Sequence, residues 1–441
     1  MNHTNYHPIL LELQQKLENK YVSEYMDSCL GKFQKEDARS LLMTLLIIHI
    51  QGYEYLEHYK EREKTLLKEL ENLCPLVKSD ELKKSLDAIK SSMPTWKILL
   101  LQKKLIEEEI PQLCGKDEKG LTFLDLDWTT FISFSKQREG AEVGANKKNK
   151  GKAGFNLSLA FISEVFVDNK LFSGSKNPKD FLAKHVSRSI SLGYKFDAVR
   201  GDAAYGNAPN IKFLQDRKKH YLLGASRPME CVVQGISKFR KLTNAGSQKI
   251  KTIHKGLSAI DLGEQNLQNS ETKEYVTTRV IICRRIQRRR GKNGKLKVKH
   301  YYYAIVTDLP WSVTKIVKHY QQRQKIENAI KELKYHYYLS RMPRRGLKAN
   351  EFFIATKILA MSLLKAFAVS YLPRKFLRMR RKTLLRKVFD STIVACQFLN
   401  YSQLVLKIEY SSESQYLWYV KRLCNKILAN HYRSTCRKYA A

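Results

Sequence analysis

The sequence contains no C-x-x-C pair; its eight cysteines are scattered over 441 residues. That spacing argues against a zinc ribbon or a disulfide framework and fits a reducing, cytoplasmic setting. No segment supports membrane residence either. The stretch LLMTLLIIHI (41–50) is too short to span a bilayer, and the run 352–372 is interrupted by Lys357 and Lys365. The N-terminus, MNHTNYHPILLELQQ, lacks a basic region followed by an apolar stretch and a small-residue cleavage site. No internal repeat or low-complexity tract is visible. The scarcest class is acidic: 42 Asp and Glu stand against 80 Lys and Arg, a net charge of +38. Such an excess makes a polyanion the natural partner. With no membrane-resident segment, nucleic acid is the preferred one.

What is present can fold. With 43% hydrophobic and 10% aromatic residues the chain can bury real cores, and its length suits two or three domains. Residues 1–115 read as helices, in the segments HPILLELQQKLENKYVSEYM, 35–73 and 81–113, the last stopping near Pro111 and Gly115. At GLTFLDLDWTTFISF the pattern turns to alternating and β-branched apolar residues, a strand with Asp125 and Asp127 embedded in it. A basic loop follows, then strands FNLSLAFISEVF and KLFSG meeting near an Asp168-Asn169 turn. An amphipathic helix opens at Asn177-Pro178, the strand KFDAVRGDA ends at Asp202, and a helix and the strand HYLLGAS come next. Strands first and alternating helices afterwards predict an α/β layer with a mixed sheet. Residues 227–300 read as a β-rich insertion whose long hairpin carries a basic tip at Gly-Lys-Asn-Gly. After Pro310, Ser312 can cap a helix. The last hundred residues read as helical, with a basic run at 374–387.

One helical stretch, HYQQRQKIENAIKELKYHYY (319–338), carries an unusual set of polar residues. Tyr320, Arg323, Glu327 and Lys334 fall within about 60° of one another at roughly 100° per residue. Ile326, Ile330, Leu333 and Tyr337 form an adjacent apolar line that seats the helix on a core. A salt-bridge ladder accounts for Arg323 and Glu327 alone. Carboxylates at strand ends, joined by one from a packed helix, can instead converge on two divalent metals. Hard cations prefer oxygen ligands, and a metal pair suits phosphodiester chemistry. Asp127, Asp202 and Glu327 are the candidates. Arg323 and Lys334 suit a phosphate backbone, and Tyr320 can bond a phosphate oxygen or stack on a base.

The spacing of Tyr, Arg, Glu and Lys in YQQRQKIENAIKELK resembles the signature of a branch of bacterial insertion-sequence transposases with a DDE triad. VRGDAAYGN resembles the segment around that family's second Asp, and LDLDWTT the segment around its first. QREGAEVGANKKNKGKAGFNLSLAF is similar to the passage that follows the first Asp, with Ala145 where the family often has Tyr. The resemblance implies an RNase H-like catalytic core with a mixed sheet, interrupted by a β-rich insertion and flanked by helical N- and C-terminal regions. The expected division is a DNA-binding helical domain over 1–118, core over 119–226, insertion over 227–300, core again over 301–345, and a helical DNA-binding and dimerisation region over 346–441. Asp125 and Asp127 share one strand face, so either can be the first ligand. The family pattern, with a Thr soon after the Asp, favours Asp127.

The implied activity is cut-and-paste transposition: nicking of the element's 3′ end, hairpin formation, reopening and strand transfer. It would use Mg²⁺ or Mn²⁺, two per site, on double-stranded transposon-end and target DNA, as a homodimer in a nucleoid-associated cytoplasmic setting. A metal-dependent endonuclease of the same fold and a domesticated, non-catalytic DNA-binding protein are the alternatives. All three bind DNA with strong salt dependence.

Overall fold

The apolar spacing of the N-terminal region is realised, after a two-residue strand β1 (Thr4–Asn5), as helices α1 (Lys35–Gln51), α2 (Ser79–Asp87) and α3 (Met93–Glu109). The computed structural model describes residues 4–5, 35–61, 76–91, 93–115, 120–133, 135, 137–144, 150–226, 229–269, 272–290, 296–372, 379–380, 383–384, 392–400 and 403–410. The expected helix over HPILLELQQKLENKYVSEYM and the hairpin tip at 291–294 lie outside them, as does most of the basic run 374–387. The single helix expected over 81–113 is two. Pro94 would remove an interior hydrogen bond and press on the carbonyl of residue 90, so the chain breaks and restarts with Pro94 in the first turn of α3.

One ten-stranded sheet organises the rest. Its core strands are β2 (Phe123–Ile132), β4 (Ala153–Ile162), β5 (Val165–Ser173), β6 (Ala198–Gly206) and β7 (His220–Ala225), with a short β3 (Glu142–Val143) beside the start of β4. They lie in the order β5-β4-β2-β6-β7. β4 runs antiparallel to β2 and β5, whereas β2, β6 and β7 are parallel. This is the mixed arrangement of an RNase H-like core. The sheet continues past β7 through β11 (Leu296–Thr307), β10 (Tyr275–Arg290), β9 (Leu257–Gln268) and β8 (Lys251–His254). β10 and β11 form the expected long hairpin, in register from Arg279↔Thr307 to Arg290↔Leu296.

Helices cover both faces. On one, α4 (Leu182–Ser191), α5 (Ala208–Asp216) and α6 (Glu230–Asn244) pack Val186, Leu214 and Phe239 into a core with Leu126, Val199 and Leu223. On the other, α7 (Val313–Gln321) sets Ile316 and Val317 against Phe123 and Ile305. There α8 (Gln324–His336) and α9 (Leu347–Tyr371) pack Ile326, Ile330, Leu333, Phe352 and Ile358 with Phe131, Leu157 and Leu159. The line Ile326, Ile330, Leu333, Tyr337 is buried, as its spacing predicts. By composition Leu347–Ser370 is long and apolar enough to cross a membrane, and 89% of its apolar window is buried inside the protein.

Three local expectations are corrected. The turn between β4 and β5 falls at Ser163-Glu164, where Ser163 takes φ 52°, not at Asp168-Asn169. Asp168 and Asn169 are buried within β5, because His185 and Arg188 bind the Asp168 carboxylate from α4. The stretch 319–338 is two helices meeting at Gln322-Arg323 rather than one. Among the described residues the C-terminal region is not helical throughout: beyond α9, β12 (Thr392–Asn400) and β13 (Gln403–Tyr410) pair antiparallel, and β12 also pairs β1. Their alternating apolar, β-branched and aromatic residues favour extension over helix.

Candidate active site

The site begins with strand register. In the parallel β2–β6 pair Asp125 lies opposite Arg200. Arg200 grips the Asp125 carboxylate through Nε (2.5 Å) and Nη2 (2.8 Å), and its Nη1 donates to the His319 carbonyl at 2.5 Å. Both side chains are buried, so this bidentate pair ties β2, β6 and α7 together. Two residues further along each strand, on the same face, stand Asp127 and Asp202. Regular β2–β6 pairing stops at Leu126–Gly201, and β6 leaves its pairing with β7 between Gly201 and Gly206. The segment 202–205 therefore arches out of the sheet, and Asp202 stands at its start.

Each carboxylate is held locally. Asp127 Oδ1 accepts the Trp128 amide at 2.9 Å, and Asp202 Oδ1 accepts the Ala204 amide at 2.9 Å. The Trp128 side chain also favours the charged form of Asp202.

The third carboxylate arrives from the helices. Ser312 caps α7 by accepting from the Lys315 amide, and α7 runs to Gln321. Gln322 and Arg323 keep right-handed helical angles but bond three residues back, tightening the chain by one short turn before α8. The turn leaves Arg323 facing Asp127. Its Nη1 lies 3.4 Å from Asp127 Oδ2 while its Nη2 bonds Glu327 Oε1, so one guanidinium bridges carboxylates from β2 and α8. Tyr320 stacks against Tyr303, ring centroids 6.2 Å apart, and feels the Arg323 charge. Its hydroxyl fits because residue 224 is glycine: a Cβ there would stand 2.6 Å from it. Lys334 does not join this group. Seven residues beyond Glu327, about 10 Å along the helix, its ammonium sits 5.7 Å from the Phe131 ring centre.

Burial and crowding set the charges. Burial first, then repulsion from Asp202 and Glu327, pushes Asp127 up to about 7, with Arg323 pulling the other way. Burial also raises Asp202, against the Ala204 amide and Arg323. Tyr320 is pushed up to about 12, again chiefly by burial. Carboxylates that resist ionisation beside one another suit a hard divalent cation, which would relieve their repulsion. In the present arrangement Arg323 supplies that positive charge, and among the described residues no three ligand groups already close on a single ion.

Two cavities extend the site along β2. One, of about 250 Å³, is lined by Trp128, Lys152, Lys176 and Ala204. The other, of about 760 Å³, is lined by Lys334 together with Thr130, Arg138, Tyr335 and Arg341. Trp128, Arg200 and Gly224 escaped the sequence reading. The repeated spacing Asp-x-Asp and Arg-x-Asp in two neighbouring strands carried a signal: a parallel register that matches one outer pair also matches the inner one.

Residues 118–363 match the model of a family described as the transposase DDE domain, more than half of the chain. No curated protein matches the sequence. The chain belongs to the transposase DDE domain family: it is a transposase, an enzyme of the nuclease type whose substrate is DNA and whose family uses divalent metal ions.

Proposed function

We propose that this DDE transposase is a cut-and-paste enzyme of the insertion-sequence branch with the Tyr-Arg-Glu-Lys signature, and that Asp127, Asp202 and Glu327 hold its metal ions. The observation that carries the assignment is the bridging guanidinium. Arg323 gathers a carboxylate 196 positions away on β2 and one from its own helix, with Asp202 alongside on β6. The reading takes Asp127 rather than Asp125 as the first ligand, supported by the two bonds that Arg200 makes to the Asp125 oxygens.

Two Mg²⁺ or Mn²⁺ ions held there would supply the Lewis acidity that activates an attacking hydroxyl and stabilises a leaving oxygen. The chain's own groups do the rest. Arg323, drawn from the carboxylates by a DNA phosphate, clamps that phosphate with its planar fork. Tyr320, rigid between Tyr303 and Gly224, donates its hydroxyl proton to a neighbouring phosphate oxygen. Lys334 grips the backbone farther along α8, and Lys152 and Lys176 do so on the opposite side of Trp128. Water attacks the phosphodiester at the element's 3′ end. The freed 3′-hydroxyl then attacks the opposite strand to form a hairpin, which is reopened before strand transfer. The basic hairpin of 227–300, the N-terminal domain 1–118 and the C-terminal region 346–441 add end-DNA contacts, and two subunits pair the two ends.

The test incubates purified protein with labelled DNA from the element's flanks and Mg²⁺ or Mn²⁺. Nicked, hairpin and strand-transfer products are expected, all lost in Glu327→Ala with end binding retained. Nicks without hairpin or joined products would reduce the reading to an endonuclease. Equal inactivity of wild type and Glu327→Ala, with normal DNA binding, would point to a non-catalytic protein.

A further inference from the structure

Behind the carboxylates, on the opposite face of the sheet, runs a chain of four buried polar side chains that the proposed reaction leaves unused. Asp168 Oδ2 lies 2.6 Å from His185 Nδ1, His185 Nε2 lies 2.8 Å from Ser158 Oγ, and Ser158 Oγ lies 3.3 Å from the Tyr205 hydroxyl. The four residues come from β5, α4, β4 and β6, and none is more than 1% exposed. Arg188 fixes the far end through Asp168 Oδ1 at 3.2 Å.

Taken alone, Asp168, His185 and Ser158 have the order of a nucleophilic triad. Their surroundings exclude that use. Ser158 is fully buried, and the Tyr205 hydroxyl fills the space in front of it. The cavity by α4 reaches Asp168 and His185 but not Ser158, and the cavity by Trp128 reaches neither Ser158 nor Tyr205.

Tyr205 shows what the chain is for. It closes the arch 202–205, the only part of β6 out of register with β7. Its ring folds back over Gly201, where a Cβ would come within 2.8 Å of it. Its carbonyl accepts from Asn210 Nδ2 at 3.0 Å. The arch that presents Asp202 is thus pinned at one end by sheet pairing and at the other by the Tyr205 ring and hydroxyl. An unpaired buried tyrosine hydroxyl would be costly, so Ser158, oriented by His185 and Asp168, fixes where that ring can sit.

We propose that Tyr205, Ser158, His185 and Asp168 are positioning residues that set the geometry of Asp202 for metal binding from the opposite face of the sheet. The inference rests on the assignment of Asp202 as a ligand. Tyr205→Phe and Ser158→Ala each remove one hydroxyl from the relay and leave the core volume nearly intact. Loosening Asp202 by a fraction of an ångström should lower the cleavage rate at saturating DNA by roughly tenfold to a hundredfold.

The experiment uses the full-length protein bound to end DNA and measures Mn²⁺ affinity by electron paramagnetic resonance, cleavage rate and DNA affinity. The result expected for both variants is Mn²⁺ binding weakened several-fold and a slower rate, with end-DNA affinity unchanged. Ser158→Thr, which restores a hydroxyl, should recover part of the Mn²⁺ affinity. Wild-type Mn²⁺ affinity and rate in Tyr205→Phe, beside an inactive Asp202→Ala, would overturn the relay alone, whatever the melting temperature does. A wild-type rate in Asp202→Ala would overturn the reading of Asp202 and the relay's role with it.

Discussion

Asp125 and Asp127 sit two residues apart on one strand face, yet their replacement by Asn should have opposite consequences. Asp125 holds a buried arginine by two bonds of 2.5 and 2.8 Å, and that arginine holds the His319 carbonyl. Asp125→Asn leaves the Arg200 charge buried with a neutral partner, a loss of about 3–5 kcal/mol. For a cooperative core this corresponds to a fall in Tm on the order of 10 °C. Asp127 is the reverse case. Its folded-state pKa is raised to about 7 from an ordinary 3.8, so between those values the folded protein binds the extra proton. The stability linked to this group is fully present below about 3.8 and is lost as pH rises through about 7. Asp127→Asn removes that titration. At pH 7.5 and without metal the variant should be at least as stable as wild type, its stability should vary less between pH 4 and 7, and it should not cleave. Thermal unfolding across pH, paired with a single-turnover nicking assay, measures both effects. If Asp125→Asn melted with wild type, or if Asp127→Asn lost as much stability as Asp125→Asn, the division between structural and functional carboxylate would be refuted.

Two further outcomes follow from packing and charge. Gly224→Ala puts a methyl group 2.6 Å from the Tyr320 hydroxyl and 2.7 Å from the Ala203 amide; it should cut cleavage more than tenfold while circular dichroism stays native. Lys334→Ala should weaken end binding evenly across sequences and lower the salt slope by about one, with nicking at saturating DNA less affected than by Arg323→Ala.

Much of the fold was legible because local pattern and burial agree in it. FLDLDWTTFI alternates as a strand must, and the line from Ile326 to Tyr337 lies on the buried face of α8. Where the reading failed, a distant partner had overruled local propensity. Asp168-Asn169 has the composition of a turn, but His185 and Arg188, brought from α4, make a buried strand position stable for Asp168. The stripe on 319–338 was legible as far as Arg323 and Glu327, which do meet. No side-chain spacing announced the tight turn at Gln322-Arg323, because both residues keep helical angles through it. The relay behind Asp202 was illegible for the same reason as the Asp168 turn: Ser158 and Tyr205, its outermost members in sequence, are 47 residues apart, and only the packing of the sheet and α4 brings the four together.

Site-directed oxidation is the sharpest test of the three carboxylates as one metal-binding set. Fe²⁺ substituted for Mg²⁺ in the complex with end DNA, given ascorbate and peroxide, cuts the backbone only near the bound ion. Cuts clustered around residues 127, 202 and 327, all suppressed by excess Mg²⁺, are the expected result. Mg²⁺-sensitive cuts confined to other segments, or the same three cuts in Asp127→Asn and Glu327→Gln, would contradict it.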